Sequence, residues 1–321
     1  MKHFFYIALM FYIALMLAAP VLSAETAVYQ SPETPLGSGP YKAVMVSDPS
    51  LPTHTEYRPK DLPALGATKM PVIAWGNGAC VNTGNRFRSF LTEIASYGYL
   101  VVALGPIGPK ELESAPMTNP AVRKPGEAAP PPPAGLSRAP ATKAAQLIDA
   151  IDWAIAENSR TGGQYAGKLD TAKIVIMGQS CGGVQAIQAS ADPRTTLTIA
   201  WNSGLLPEPS AGMEMISKDA LKHLHAPIAY FTGDEANDVA FPNAADDFER
   251  IGNVPVLRAW KTGLPHIGTY RDPNGGELGK LAVAYLQWRL RGDKTAGQMF
   301  LGPHCGLCTD PAWHVSKKRI D

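Results

Sequence analysis

The stretch AKIVIMGQSCGG, residues 172–183, decides the fold because a strand pattern changes into a helix pattern within it. Its first half is continuously apolar and β-branched, which is typical of a strand covered on both faces of a sheet. Gly178, Ser180 and Gly182 follow at two-residue spacing, and glycines permit the sharp turn that such a junction needs. The stretch therefore predicts a strand, a tight turn that carries Ser180, and a helix entered at Gly183.

The same exchange of strand and helix continues on both sides of this stretch. Apolar, β-rich segments alternate with helical segments, which predicts an α/β fold class with a mostly parallel central sheet and helices on both faces. The predicted strands are 41–46, 54–59, 70–75, 99–104, 172–178, 196–201, 226–233 and 254–260. The predicted helices are 86–97, 142–156, one from 183, 244–251 and 277–291.

The N-terminal segment has the composition of an export signal. Residues 1–24 combine the basic Lys2, a long apolar run, and small residues at Ser23 and Ala24, which is typical of a secretory signal peptide. An uncleaved membrane anchor is the alternative, because the sequence FYIALM is doubled and lengthens the apolar run. Residues 25–292 are then predicted to form one α/β domain, which is an ordinary size for a single core.

Two segments depart from the alternating pattern. Residues 105–141 contain four consecutive prolines at 130–133 and leave the end of a central strand, so we expect a cap or rim over a pocket, or else a solvated polyproline excursion. Residues 293–321 are expected to form a C-terminal tail that carries the sequence CGLC.

Charge and apolar content limit the partners and the location. The chain has 29 basic and 28 acidic residues, a balance that gives no reason to expect nucleic acid or an anionic membrane as a partner. No later stretch is apolar for long enough to span a bilayer. We therefore expect a secreted or periplasmic protein without stable membrane association after signal cleavage.

The four cysteines suggest disulfides in an exported chain. Cys181 directly follows Ser180, and Cys80 lies in a loop expected to form the other wall of the same site, so we pair these two. Cys305 and Cys308 would then close a tight loop in the tail. A redox pair or half of a zinc site remains the alternative for these last two cysteines.

The turn at Ser180 has the form of a nucleophile elbow, in which a strained strand-to-helix turn exposes a serine hydroxyl above the sheet. A serine needs a base, and the base needs an orienting acid, in the chain order serine, acid, histidine. His266 follows the last predicted strand of the domain and is the preferred base. Asp238 lies in the loop after the preceding strand and is the preferred acid, with Asp234 as the alternative.

Stabilising a negatively charged tetrahedral intermediate requires backbone donors on two sides of the serine. The Cys181 N–H at the start of the helix is the first expected donor. The second is expected from the loop WGNGAC, 75–80, where glycines free the backbone to turn inward, and Asn77 and Gly78 are the candidate amides.

With these motifs the chain resembles the α/β-hydrolase superfamily, and within it the dienelactone-hydrolase and bacterial polyester-hydrolase (cutinase-like) branch. The resemblance covers roughly residues 40–292 and rests on the motifs GQSCGG, WGNG, NDVA, LPHIG and AWNS. It implies an α/β-hydrolase fold, and it implies that Trp201 in AWNS lines the substrate pocket. A tryptophan packed in the core is the alternative for this residue.

These residues together predict an exported serine esterase that acts on a small-molecule or polymeric ester with Ser180, His266 and Asp238 as its triad. No metal or organic cofactor is expected. The triad alone leaves open a lactonase, a serine peptidase or amidase, and an acyltransferase. A non-catalytic binding module is a further alternative, ranked last because all three triad members are present.

Overall fold

The computed structural model describes residues 36–114, 117–120, 141–207 and 216–320, together with Thr34, Val122 and Glu214. The predicted signal peptide lies outside the described residues. So do nearly all of the segment 25–35 and the four prolines at 130–133.

Within the described residues, nine strands form a mostly parallel sheet at the centre of an α/β structure, and this fold class is as predicted. The strands are β1 (Ala43–Val46), β2 (His54–Pro59), β3 (Met70–Gly76), β4 (Leu100–Leu104), β5 (Leu169–Gln179), β6 (Thr195–Trp201), β7 (Ile228–Gly233), β8 (Val256–Lys261) and β9 (Trp313–Lys318). Their order in the sheet is β1-β2-β4-β3-β5-β6-β7-β8-β9. The six central strands pair in parallel, in the order β4-β3-β5-β6-β7-β8. At the two edges, β1, β2 and β9 pair antiparallel. The parallel strands are apolar along most of their length because helices cover both of their faces.

The helices are α1 (Arg88–Ala95), α2 (Glu111–Ser114), α3 (Ala144–Ser159), α4 (Cys181–Ala189), α5 (Phe241–Arg250), α6 (Gly276–Arg291), α7 (Lys294–Gly297) and α8 (Gly306–Thr309). Apolar residues of α1 and α6 form one core against one face of the sheet. Residues of α3, α4 and α5 form two further clusters with the alternate residues of the strands. Val72 and Ile176, for example, belong to one of these clusters, whereas their neighbours Ile73 and Val175 belong to the core under α1 and α6. Since alternate strand residues point to opposite faces, the helices cover the sheet on both sides, as predicted.

The C-terminal segment corrects the predicted domain boundary at residue 292. Its last described part, β9, pairs with β8 and so completes the sheet instead of lying outside the domain as a tail. Cys305 of the CGLC sequence directly precedes the short helix α8, and it is buried and bonded to Cys308 within that helix. Cys80 is bonded to Cys181, so both predicted disulfide pairings are confirmed.

The described part of the segment 105–141 packs near the carboxyl ends of the strands. Met117 packs against the core beneath α1 and α6, and the Asn119 side chain donates to the carbonyl of Asn237 at 3.4 Å. Asn237 belongs to the loop after β7, and its carbonyl also accepts from the His266 N–H at 3.2 Å. These contacts place residues 117–120 beside the loops that carry the predicted acid and base. Within the described ranges, no helix combines the length and apolar character needed to cross a membrane.

Candidate active site

Ser180 occupies a strained turn between β5 and α4. The strand ends at Gln179 and the helix begins at Cys181, so Ser180 alone makes the change of direction. Its φ of 54° and ψ of −120° form a sparsely populated backbone conformation that costs on the order of 1–3 kcal/mol. Hydrogen bonds fix it from both sides, because its N–H donates to the Trp201 carbonyl at 3.0 Å and its carbonyl accepts from Ser203 Oγ at 2.6 Å. The strain is therefore held in place by β6 and the residues that follow it.

The glycines flanking the turn are required by close backbone approach. A Cβ on Gly178 would collide with the backbone of Gly182, and a Cβ on Gly182 would collide with the backbone of Gly76 at the end of β3. The turn therefore packs directly against the loop after β3, with no side chain between them.

The structure brings the three predicted triad residues together. Ser180 Oγ lies 2.8 Å from His266 Nε2, and His266 Nδ1 lies 2.6 Å from Asp238 Oδ1. Because a carboxylate only accepts, the Nδ1–H donates to Asp238 and leaves Nε2 free to accept the serine proton. His266 and Asp238 are buried, whereas Ser180 is partly exposed. The arrangement can remove a proton from a serine hydroxyl that a ligand can reach.

Asp238 is a buried carboxylate with its hydrogen-bonding capacity filled. Oδ1 accepts from His266 and from the Ala240 N–H at 2.9 Å, while Oδ2 accepts from Asn202 Nδ2 at 2.7 Å and from the Gly233 N–H at 2.9 Å. Burial alone would raise the pKa of Asp238, but the hydrogen bonds from His266, Ala240 and Asn202 and the charge of His266 hold that pKa below its ordinary value. The side chain is therefore ionised at neutral pH and can orient the imidazole.

Asp234 has a different position from Asp238. Its carboxylate accepts from Asn237 Nδ2 at 2.7 Å and from the Gly263 N–H at 3.0 Å, so it braces the loop after β7 against the turn after β8. The structure thus separates the two candidate acids and places Asp238 at the imidazole.

The predicted oxyanion donors lie on the two segments that meet at the turn. Cys181 is the first residue of α4. The backbone N–H groups in the first turn of a helix have no intrahelical acceptor and are free to donate elsewhere. Asn77 and Gly78 begin the loop after β3, and a Cβ on Gly182 would come within 2.6 Å of the Asn77 nitrogen. The Asn77 side chain points into its own loop, where Nδ2 donates to the carbonyls of Val81, Thr83 and Leu104. Its backbone, not its amide side chain, is therefore the part that faces the turn.

The loop after β3 is held in an unusual conformation. Ala79 and Cys80 have φ of 54° and 51°, which L-residues rarely adopt. The Cys80–Cys181 disulfide ties this loop to α4, and the Cys80 carbonyl accepts from the Thr142 N–H at 3.0 Å. Gln185 of α4 in turn donates to the Thr142 carbonyl at 2.5 Å. The loop is thus fixed to α4 covalently and through Thr142.

Trp201 requires a correction. The resemblance implied a pocket-lining side chain, but the Trp201 ring has no exposed surface. It stacks on Phe231 with ring centroids 4.7 Å apart and meets Phe90 edge-on at 5.3 Å. The Trp201 side chain lies on the face of the sheet that α1 covers, so it packs in the core.

Sequence reasoning missed three buried polar residues around the triad. Asn202 donates to Asp238, and Tyr270 donates its hydroxyl to Asn202 Oδ1. Gln179 Nε2 donates to the His266 carbonyl at 3.0 Å and so holds the histidine loop next to the turn. Polar residues directly beside the serine and directly after β6 were the available signal, since a polar residue at a buried strand end needs a partner.

No arrangement of three or more His, Cys, Asp or Glu side chains suited to a metal ion occurs among the residues that the structure describes. No protein-family model matches the chain, and no curated protein sequence is significantly similar to it.

Proposed function

We propose that the chain is a serine hydrolase that cleaves carboxylic esters through an acyl-enzyme on Ser180. The observation that carries the proposal is the continuous hydrogen-bonded series from Ser180 through His266 to Asp238, at 2.8 Å and 2.6 Å, with the serine on a strained strand-to-helix turn. Strain at one backbone position and a buried, oriented imidazole are costly features, and nucleophilic catalysis gives a reason for keeping both.

Each residue has one role in the proposed mechanism. His266 Nε2 accepts the proton of the Ser180 hydroxyl as Oγ attacks the ester carbonyl carbon. Asp238 keeps the imidazole in the tautomer that accepts at Nε2 and stabilises the imidazolium that forms. Backbone amides at Cys181 and at Asn77 or Gly78 donate to the oxyanion, and His266 returns the proton to the leaving alcohol. Water then attacks the acyl-enzyme with His266 again acting as base.

We further propose that the fold is the α/β-hydrolase fold. Three features support this: the serine on a strand-to-helix elbow, the chain order serine, acid, histidine, and candidate donors both after the serine and in the loop after β3. The two disulfides are consistent with export to an oxidising compartment. We also propose that the chain is related to the dienelactone-hydrolase and polyester-hydrolase branch, on the motifs given above.

The test uses purified protein with p-nitrophenyl esters of short and long acyl chains. We expect a burst of p-nitrophenol equal to the enzyme concentration, followed by turnover. Ser180→Ala and His266→Ala should each abolish the burst, since triad members act as a unit and single removals cost up to about 10⁶-fold in kcat. A fluorophosphonate, which loses fluoride when a nucleophilic serine attacks its phosphorus, should label the wild type once per chain.

Two results would contradict the proposal. Ester cleavage that persists in Ser180→Ala would remove the serine from the mechanism. Failure of the wild type to react with the fluorophosphonate, while its circular dichroism shows a folded protein, would remove the activated nucleophile itself.

A further inference from the structure

Behind Asp238 lies a buried polar pair that the mechanism above does not use. Asn202 follows β6 and has no exposed surface, and Tyr270 lies four residues after His266 and is also fully buried. Asn202 Nδ2 donates to Asp238 Oδ2 at 2.7 Å, and the Tyr270 hydroxyl donates to Asn202 Oδ1. Both groups therefore lie in one series with Asp238, His266 and Ser180.

The hydrogen bonds from Tyr270 to Asn202 and from Asn202 to Asp238 can each run in only one direction. The ionised Asp238 carboxylate only accepts, so the Asn202 amide must present its NH₂ group to it. The amide oxygen then faces Tyr270, whose hydroxyl must donate. Burial, together with the negative charge of Asp238, raises the pKa of Tyr270 well above its ordinary value, so the phenol keeps its proton.

The backbone and the aromatic core fix both side chains in place. Asn202 has a φ of 40°, and its N–H donates to the Phe231 carbonyl at 2.7 Å. The Tyr270 ring packs edge-on between Phe87 and Phe90, with centroids 5.4 Å and 5.1 Å away. A left-handed asparagine and a tyrosine enclosed by aromatic rings have little freedom to turn elsewhere, so the donors point at Asp238 before any substrate binds.

We propose that Asn202 and Tyr270 are positioning residues that control how strongly Asp238 acts on His266. This inference rests on the proposed function. The Asn202 donor takes up part of the acceptor capacity of Asp238 and fixes the plane of its carboxylate. Without that donor the carboxylate interacts more strongly with the imidazolium and is free to rotate, so the imidazole binds its proton more tightly and its direction is less well defined.

Among the described residues, the ionisable side chains considered around His266 come from its own loop and from the loop after β7. Asp238 is hydrogen bonded to the His266 ring, and Tyr270 lies on the same loop as His266. Asp234 and Glu235 lie on the loop after β7, where Asp234 is held by Asn237 and Gly263. The variants below leave Asp234 and Glu235 unchanged. A shift in the acid limb of the pH profile therefore reports a change in the hydrogen bonds that reach His266 through Asp238.

The experiment measures the second-order rate constant for fluorophosphonate labelling of Ser180 against pH, which does not require the natural substrate. The variants are Asn202→Ala and Tyr270→Phe. We expect the acid limb of the profile to move to higher pH by about half a unit to one unit in Asn202→Ala, because the Asp238 carboxylate then keeps more negative charge for the imidazole. Tyr270→Phe should move it less, with a rate loss of about fivefold to tenfold, as expected for one neutral hydrogen bond.

The matched control is Tyr285→Phe. Tyr285 is fully buried in the same aromatic core, but its hydroxyl has no hydrogen-bond partner among the described residues. We expect Tyr285→Phe to leave the pH profile unchanged. The comparison therefore separates a general effect of removing a buried hydroxyl from an effect on Asp238.

The outcomes separate this inference from the proposed function. A wild type that is not labelled overturns both. A wild type that is labelled, with variants whose acid limb stays at the wild-type pH, overturns the positioning role alone. Because Tyr270→Phe removes a single oxygen atom, it provides this comparison even where an Asn202 variant fails to fold.

Discussion

At the scale of single residues, the two aspartates of the loop after β7 make a matched pair. Asp238→Asn replaces an acceptor of His266 with an amide that also donates, so the imidazole is no longer held in the tautomer that accepts the serine proton. We expect kcat to fall by about 10⁴-fold, the size of the loss when an orienting aspartate is converted to its amide in a serine protease. The measurement is steady-state hydrolysis of p-nitrophenyl esters.

Asp234→Asn is the control for that prediction. Its side chain oxygen can still accept from the Gly263 N–H, and the hydrogen bond to His266 Nδ1 comes from Asp238 and not from this residue. We expect activity close to that of the wild type. Equal losses in the two variants would show that the loop, and not the carboxylate at His266, controls the rate.

The same residues show what could be predicted from the sequence. Ser180, His266 and Asp238 were predictable because each follows a strand that ends at one edge of a parallel sheet, and the chain order restricts the choice. The contact between Asn202 and Tyr270 was not predictable, since the two residues are 68 apart in sequence and meet only when aromatic packing fixes the tyrosine ring. Trp201 was misplaced because a tryptophan at a strand end is compatible with a pocket wall or a core, and only packing decides.

At the scale of elements, the two disulfides differ in what they join. Cys80–Cys181 connects the loop after β3 to α4 across 101 residues, whereas Cys305–Cys308 spans three. In the chain-entropy model, the long loop is worth about 4.7 kcal/mol and the short one about 2 kcal/mol. We expect the double variant Cys80→Ser/Cys181→Ser to lose clearly more unfolding free energy in urea than Cys305→Ser/Cys308→Ser.

The two variants should also differ in activity. The first releases Ala79 and Cys80 from their left-handed conformation and so moves a candidate oxyanion donor, while the second leaves the site untouched. Fluorophosphonate labelling at matched folded fractions measures this difference. Similar stability losses with unchanged labelling in both variants would show that Thr142 and the packing of α4 hold the loop without the bond.

The strands themselves were largely predictable, with β9 as the exception. Eight strands have apolar cores or clear alternation, and each was expected at nearly its observed position. In β9, Trp313 and Val315 alternate with His314 and Ser316 for only a few residues after an irregular segment. A short antiparallel edge strand buries little apolar surface, so its sequence pattern is weak and its pairing with β8 depends on the fold.

At the scale of the whole molecule, Glu56 links stability to pH. It lies on β2 at 1% exposure, accepts from the Tyr165 hydroxyl through Oε2, and has no hydrogen-bond partner for Oε1 within the described residues. Burial raises the pKa of Glu56 from 4.5 to about 7, although the Tyr165 hydrogen bond opposes the rise. Tyr165 precedes β5, so the carboxyl joins β2 to the loop that leads into β5.

The raised pKa gives the direction of the pH effect. Below pH 4.5 both the folded and the unfolded chain hold the Glu56 proton, and the group has no differential effect. Between pH 4.5 and about 7 the unfolded chain releases the proton while the folded chain keeps it, so folding stability falls as pH rises. The shift corresponds to a loss of about 3 kcal/mol that is complete above the folded-state pKa.

Glu56→Gln tests this effect across the molecule. The glutamine can still accept from Tyr165 but cannot ionise, so the variant should gain stability over the wild type as pH rises from 5 to about 8, by up to about 3 kcal/mol. Asp247, whose pKa burial raises to about 6 against the effect of Lys218, remains in both proteins and contributes the same smaller change at lower pH. Urea unfolding at a series of pH values measures the difference between the two curves. Parallel curves would mean that the folded protein admits water or a rearranged partner to Glu56, because only a solvated carboxylate would titrate alike in both states.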